Sequence, residues 1–236
     1  MTAEARRVAL VTGSGGGLGL EIVSALAGDG WRVATTDVWG SGASFEADLR
    51  APEACRRLIT EVVDRHERLD LLVNNAATMY HGLLDQSDLD RWWDTIEVNL
   101  TAPFRLSRAA APELRRREGQ VINISSLMGY TGDAGFSAYC ASKSGLVGLT
   151  KALARELAPS VRVNAIAPGH IDTPQQAVDA AAAGLTRQDL YQTYAAIIPI
   201  GRILDPAEVA RLVVFLANET GFTGSCLHQN GGLLMV

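Results

Sequence analysis

Residues 8–19 read Val8-Ala-Leu-Val-Thr-Gly-Ser-Gly-Gly-Gly-Leu-Gly19, and the fold turns on how this stretch is read. Its first four residues are apolar without polar alternation, which predicts a strand buried on both faces. A glycine-rich turn follows at once, and residues 20–27 then show helical apolar spacing. Glycines at a strand-to-helix turn accept positive φ and let a pyrophosphate approach the backbone amides and the positive end of the helix. No Lys-Ser or Lys-Thr follows the last glycine, so this is not the P-loop of nucleoside-triphosphate hydrolases.

Outward from this turn, short β-branched runs recur at residues 33–36, 69–73, 121–124 and 161–166. Helical patterns lie between and beyond them, at residues 52–66, 89–116, 137–157 and 206–216. Such alternation predicts βαβ units: an α/β fold with a doubly wound parallel sheet of the Rossmann type, covered by helices on both faces. No linker rich in Pro, Gly or Ser interrupts it, so residues 1–236 are expected to form a single domain. The stretch "VWGSGASFEA" between Asp37 and Asp48 is too short for a helix, so the second crossover is expected to be a loop.

Composition narrows the function. The 236 residues are 47% hydrophobic, enough for a sizeable core, and carry a net charge of -5. Neither nucleic acid nor a membrane surface is an expected partner, because each needs clustered Lys and Arg. The densest basic run, Arg115-Arg116-Arg117, reads as a solvated helix end. Cys55, Cys140 and Cys226 are odd in number and widely spaced, which suits neither a disulfide framework nor a metal site. With no signal-peptide pattern and no apolar stretch of bilayer length, a soluble cytoplasmic protein is expected.

Two further features bear on the glycine turn. The second strand ends on Asp37, 24 residues after Gly13, where a carboxylate can accept hydrogen bonds from adenosine ribose hydroxyls and repel a 2′-phosphate. Ser14, Gly15 and Val38 supply no compensating cation, so NAD is favoured over NADP. Farther on, "YCASK" places Tyr139 and Lys143 at i and i+4 of a helical stretch, so the phenol and the ammonium share one face.

Taken together, Thr12-Gly-x-x-x-Gly17-x-Gly19, Asn74-Asn75-Ala76, Asn99, Ser126 and Tyr139-x-x-x-Lys143 resemble the short-chain dehydrogenase/reductase family in its single-domain form. The likeness runs through Pro168-Gly169 to Gly231-Gly232, almost the whole chain. The resemblance implies that Tyr139 exchanges a proton with the substrate oxygen. Lys143 would hold the nicotinamide ribose and depress the phenol pKa, Ser126 would hydrogen-bond the substrate oxygen, and Asn99 would position a water for proton relay. Ser125 is the neighbour with which Ser126 could be confused. The implied cofactor contacts are Gly13, Ser14, Gly17, Leu18 and Gly19 of the turn, with Asp37 on the ribose and Asp48 and Leu49 bracketing the adenine. Asn75 and Ala76 would lie along the adenosine ribose, and Pro168, Gly169, Ile171 and Thr173 would follow the sixth strand toward the carboxamide and phosphates. Two positions depart from the family pattern: Ala77 stands where glycine is common, and Asn230 where an acidic residue often precedes the glycine pair.

The substrate is expected to be a neutral secondary alcohol or its ketone, apolar or cyclic, beneath a lid at about residues 174–200. Met128, Phe136 and His170 are the candidate pocket walls, His170 being as readily a packing residue. Arg187 is the lid's only cation, which argues against a phosphosugar. The resemblance implies a homotetramer built through the helices that carry Asn99 and Tyr139. Two alternatives remain: a reductase of carrier-bound 3-oxoacyl groups, and a dinucleotide sensor without turnover, whose signature would be loss of Tyr139 or Lys143.

Overall fold

The computed structural model describes residues 6–235 apart from Trp39, Ser41 and Ala183, the first two in the second crossover and the third in the expected lid. The chain order is β1 (Val8–Thr12), α1 (Gly17–Gly28), β2 (Arg32–Asp37), β3 (Phe45–Glu46), α2 (Pro52–His66) and β4 (Leu71–Asn74). Then follow α3 (Leu89–Ile96), a π-helical turn (Glu97–Thr101), α4 (Ala102–Arg116), β5 (Gln120–Ile124), α5 (Ser137–Leu157) and β6 (Arg162–Pro168). The last elements are α6 (Gln175–Ala182), α7 (Arg187–Ile197), α8 (Pro206–Asn218) and β7 (Cys226–Gln229). Among the described residues the strands form one seven-stranded sheet in the order β3-β2-β1-β4-β5-β6-β7, parallel throughout.

Both faces of β1 are sealed, which is why its sequence lacks alternation. Val8 and Leu10 join Leu58, Leu106, Leu114 and Leu153 from α2, α4 and α5. Ala9 and Val11 join Ile22, Leu26, Val213 and Leu216 from α1 and α8. Val8 to Val11 have no exposed surface, and burial of each larger side chain stabilises the fold by about 1.5–3 kcal/mol.

The structure refines three expectations. The second crossover is a loop, and it delivers a two-residue strand, β3, that pairs Asp37 with Glu46. The helix expected over residues 89–116 is divided by the π turn at Asn99. The stretch 174–200 contains two helices, α6 and α7, the second begun by a capping box in which Thr186 and Asp189 satisfy each other's backbone. The basic run at the end of α4 is partly committed to the core side, since Arg116 and Arg117 both pair with the buried Glu113. No described helix is long and apolar enough to cross a membrane.

Candidate active site

The carboxyl ends of β1, β2, β4, β5 and β6 open on one cleft of about 830 Å³. Open parallel sheets place ligands there, where the strand order reverses beside β1. Its glycine end is built for close approach. A Cβ on Gly19 would stand 2.0 Å from the Gly13 carbonyl oxygen, and one on Gly13 would stand 2.7 Å from Ala76 Cα, with Gly13 at φ +63°. No side chain fits either position. Thr12 and Asn75 fasten this turn to β4: Thr12 Oγ1 accepts from the amides of Asn75 and Ala76 at 3.0 Å, and Asn75 Nδ2 donates to the carbonyls of Thr12 and Gly13 at 2.9 and 3.0 Å.

Beside the turn, the Asp37 carboxylate accepts from the Gly15 amide at 2.7 Å and from the Val38 amide at 2.8 Å. It therefore stands at the cleft rim in a fixed orientation. Asp48 is more heavily engaged. Arg50 gives it Nε and Nη2 as well as its backbone amide, and the guanidinium holds the carboxyl below the usual range. The same guanidinium reaches Asp94 on α3 at 2.8 Å through Nη1.

At the other end, α5 brings Tyr139 and Lys143 beneath the end of β5. The Lys143 ammonium is buried, lies 5.5 Å from the centroid of the Tyr139 ring, and donates to the Ile124 carbonyl at 2.8 Å. Burial lowers its pKa to about 8. Burial also pushes the Tyr139 phenol up, against a hydrogen bond from Ser126 that lowers it. The expectation that Lys143 pulls the phenol down is thus not met in the free protein: the buried ammonium is turned to a carbonyl, and desolvation is the larger influence on both groups. Ser126 Oγ also accepts from the Met128 amide at 3.1 Å. Ser125 is buried and donates to the Lys143 carbonyl at 3.0 Å, so the structure brings Ser126 and not its neighbour to the phenol.

Asn99 lies outside the cleft lining. Its side-chain oxygen accepts from the Thr78 amide at 2.9 Å, and Nδ2 donates to the Thr78 carbonyl and to Ser142 Oγ. Ser142 in turn donates to the Tyr139 carbonyl at 2.8 Å. The amide therefore ties the segment after β4 to α5 beside Tyr139, and the π turn that carries it shifts the local backbone out of α-helical pairing.

Of the other residues expected at the site, Gly13, Gly17, Leu18, Gly19, Asp37, Asp48, Leu49, Asn75, Ala76, Pro168, Gly169, Ile171 and Thr173 line the same cleft as Ser126, Tyr139 and Lys143. Ser14 does not: its hydroxyl is buried and donates to the Thr36 carbonyl at 3.2 Å. Met128, Phe136 and His170 are also absent from this lining. Phe136 meets His81 edge-on at 4.9 Å, and His170 stacks on Tyr194 of α7 at 3.7 Å, with burial lowering its pKa. Arg50 and Asp94 line the cleft and escaped the sequence reading, because an ion pair across 44 residues leaves no local pattern. Ala77 sits in the lining, and Asn230 closes the final glycine pair by accepting from the Gly232 amide at 3.0 Å. Among the described residues no group of His, Cys, Asp and Glu could hold a metal.

Sheet order, glycine turn and strand-end cleft together define a dinucleotide-binding α/β protein, and the residues present fit a dinucleotide: an open backbone cradle, a fixed carboxylate at the rim and a buried cation at the far end. Residues 13–234 match the family described as enoyl-(acyl carrier protein) reductase. The chain is 37% identical to the 3-oxoacyl-(acyl carrier protein) reductase FabG of Vibrio cholerae serotype O1, with 98% of each chain covered. The solved ligand-free structure of Thermoplasma acidophilum aldohexose dehydrogenase is similar at a TM-score of 0.93 and 30% identity, covering 97% of this chain and 94% of that one. A solved variant of actinorhodin polyketide ketoreductase with NADPH is similar at a TM-score of 0.91 and 32% identity, covering 99% of each. The chain belongs to the short-chain dehydrogenase/reductase family, single-domain oxidoreductases that act on carbonyl and hydroxyl groups.

Proposed function

We propose that this chain is an NAD-dependent oxidoreductase that interconverts a neutral secondary alcohol and its ketone, apolar or cyclic. The observation that carries the reading is the convergence of Ser126, Tyr139 and Lys143 at one end of a cleft whose other end is the glycine turn. Nicotinamide, when bound, supplies or accepts the hydride. Tyr139 handles the proton at its phenol oxygen, and Ser126 steadies the substrate oxygen beside it. Lys143 spends one of its three donors on Ile124, which leaves two for ribose hydroxyls. Asn99 acts as a positioning residue through Thr78 and Ser142, and any relay water meets its backbone rather than its committed amide.

NAD is the proposed cofactor because the Asp37 carboxylate stands at the rim without a free cation, and Asp48 and Asp94 outnumber Arg50 beside it. A dianionic 2′-phosphate at that end meets net repulsion. Helices α6 and α7 form the lid, and Arg187, its only cation, is paired with Asp172, which supports a neutral substrate. Leu89, Trp93 and Phe104 are exposed on α3 and α4, which supports a homotetramer using the helices near Asn99 and Tyr139; its proposed location is the cytoplasm.

A second reading, reduction of carrier-bound 3-oxoacyl groups, draws support from the Vibrio relative. A half-buried phenol whose pKa is raised is also a ready proton donor to a carbonyl. The sensor reading loses ground because Ser126, Tyr139 and Lys143 are all present and assembled. The test is reduced-nicotinamide production from a panel of secondary alcohols, and its consumption with 3-oxoacyl thioesters, each with NAD(H) and NADP(H) and with Tyr139→Phe as control. Tyr139-dependent turnover of apolar alcohols or ketones with NAD(H) supports the first reading. Turnover confined to 3-oxoacyl thioesters supports the second, and cofactor binding without any turnover returns the sensor.

A further inference from the structure

Arg50 is the one cation at the adenosine end of the cleft, among the described residues that line it, and all three of its guanidinium nitrogens are engaged. Its Nε and Nη2 grip Asp48, while Nη1 crosses the mouth to Asp94 on α3. Its backbone carbonyl is fixed separately by Arg105, so the loop that carries it stays in place when the side chain moves. The guanidinium itself is half-exposed, as are both carboxylates, so each pair is weak and exchangeable.

The position of this strap matters because Asp37 is near. Asp37 and Glu46 are register partners across β2 and β3, and the Ala47 amide donates to the Asp37 carbonyl at 2.9 Å. Asp48 and Arg50 therefore follow the strand, β3, that pairs with the end of β2 carrying Asp37. An arginine fork can serve two anions on two edges, and Asp94 takes an edge that a phosphate could occupy.

We infer that Asp94 is a specificity-determining residue: it occupies the Nη1 edge of Arg50 and so withholds from a 2′-phosphate the one cation that lines that end of the cleft among the described residues. The inference rests on the proposed preference for NAD. Asp94 thus works alongside Asp37: Asp37 repels the phosphate directly, and Asp94 removes its available partner. Removing Asp94 changes the local balance of Asp37, Asp48, Asp94 and Arg50 from two excess negative charges to one, and leaves Arg50 held by Asp48 with its outer edge free.

The test is fluorescence titration of NADH and NADPH onto the intact protein, comparing the ratio of their Kd values in the wild type, Asp94→Ala, Asp94→Asn, and Asp94→Ala with Arg50→Gln; asparagine removes the same charge as alanine but keeps an oxygen for the Nη1 edge of Arg50. Alanine is compatible with the helix at this partly exposed position, and thermal melts verify folding. The inference expects wild type to favour NADH, Asp94→Ala to shift the ratio toward NADPH by about threefold to tenfold, less so in high salt, Asp94→Asn to shift it much less, and the double variant to return to the wild-type ratio. Wild type that favours NADH with an unmoved ratio in Asp94→Ala overturns the inference and leaves the NAD reading standing. An equal shift in Asp94→Asn overturns it too, since lost charge and not the freed Arg50 edge is then responsible, and so does a shift that survives in the double variant, which lacks Arg50 and carries the wild-type local charge. Wild type that favours NADPH overturns the NAD reading and the inference with it.

Discussion

The Lys143 ammonium lies 5.5 Å from the centroid of the Tyr139 ring while donating to the Ile124 carbonyl, so the two ends of YCASK are held together under the last residue of β5. If the phenol carries the proton, Tyr139→Phe removes only that function, because phenylalanine keeps the packing. Turnover is expected to fall by about 10²- to 10⁴-fold with NADH binding within a few-fold of wild type, checked by steady-state kinetics and fluorescence titration. Near-normal turnover in this variant would mean that another group moves the proton.

Lys143 also imposes a pH signature on stability. Its folded pKa is about 8 against 10.5 for an ordinary lysine, so between these values the folded protein binds fewer protons than the unfolded chain. Stability from this group therefore rises from pH 8 toward 10.5, and below pH 8 its desolvation costs on the order of 3 kcal/mol. The stability of wild type relative to Lys143→Met should climb over that window in urea unfolding, and a flat difference would show that the ammonium is not desolvated.

Ser126 and Ser125 should separate in a pH–rate profile. The Ser126 hydrogen bond is the influence that lowers the phenol pKa, so Ser126→Ala should move the rising limb of alcohol oxidation to higher pH and reduce the maximal rate. Ser125→Ala removes a buried bond to the Lys143 carbonyl and should cost about 1 kcal/mol of stability without moving the limb. The reverse pattern would exchange their roles.

The glycine turn offers a steric contrast. Gly19→Ala drives a methyl into the Gly13 carbonyl and should abolish dinucleotide binding, with a stability loss of about 1–3 kcal/mol. Gly16→Ala meets nothing within 4 Å and has an extended backbone, so it should bind NADH much as wild type does. Equal tolerance at both positions would mean that the turn does not hold the pyrophosphate.

Cofactor choice can be tested at β2. Asp37→Ala with Val38→Arg removes the carboxylate that accepts from the Gly15 amide and adds a cation at an exposed position, so the ratio of kcat/KM for NADP over NAD should rise by at least about tenfold. An unchanged ratio would show that the end of β2 does not face the ribose.

Much of the fold was legible because its signals are local. The unalternating Val8 to Val11, the glycine turn and the short second crossover each report their own environment, and the structure returns a doubly buried strand, a backbone cradle and a loop. The π turn at Asn99 and the two-residue β3 were not legible: a single inserted residue in a helix barely alters periodicity, and two residues are too few to show one. Ser14, Met128, Phe136 and His170 illustrate another limit. Adjacency to a motif along the chain does not set which way a side chain turns, and packing sent Ser14 to Thr36, Phe136 to His81 and His170 to Tyr194.

The sequence by itself determined the alternation of β1, β2, β4, β5 and β6 with their helices, though not β3 or β7, and also the glycine positions that only a backbone approach explains and the i, i+4 pairing of Tyr139 with Lys143, because each depends on neighbours along the chain. Only the tertiary structure decided that Ser126 rather than Ser125 meets the phenol, that Asn99 spends its amide on Thr78 and Ser142, and that Arg50 is bound to Asp94. It also set the direction in which the site's groups titrate, since desolvation depends on what the whole fold packs around a group, and at Tyr139 burial outweighs the lowering hydrogen bond of Ser126.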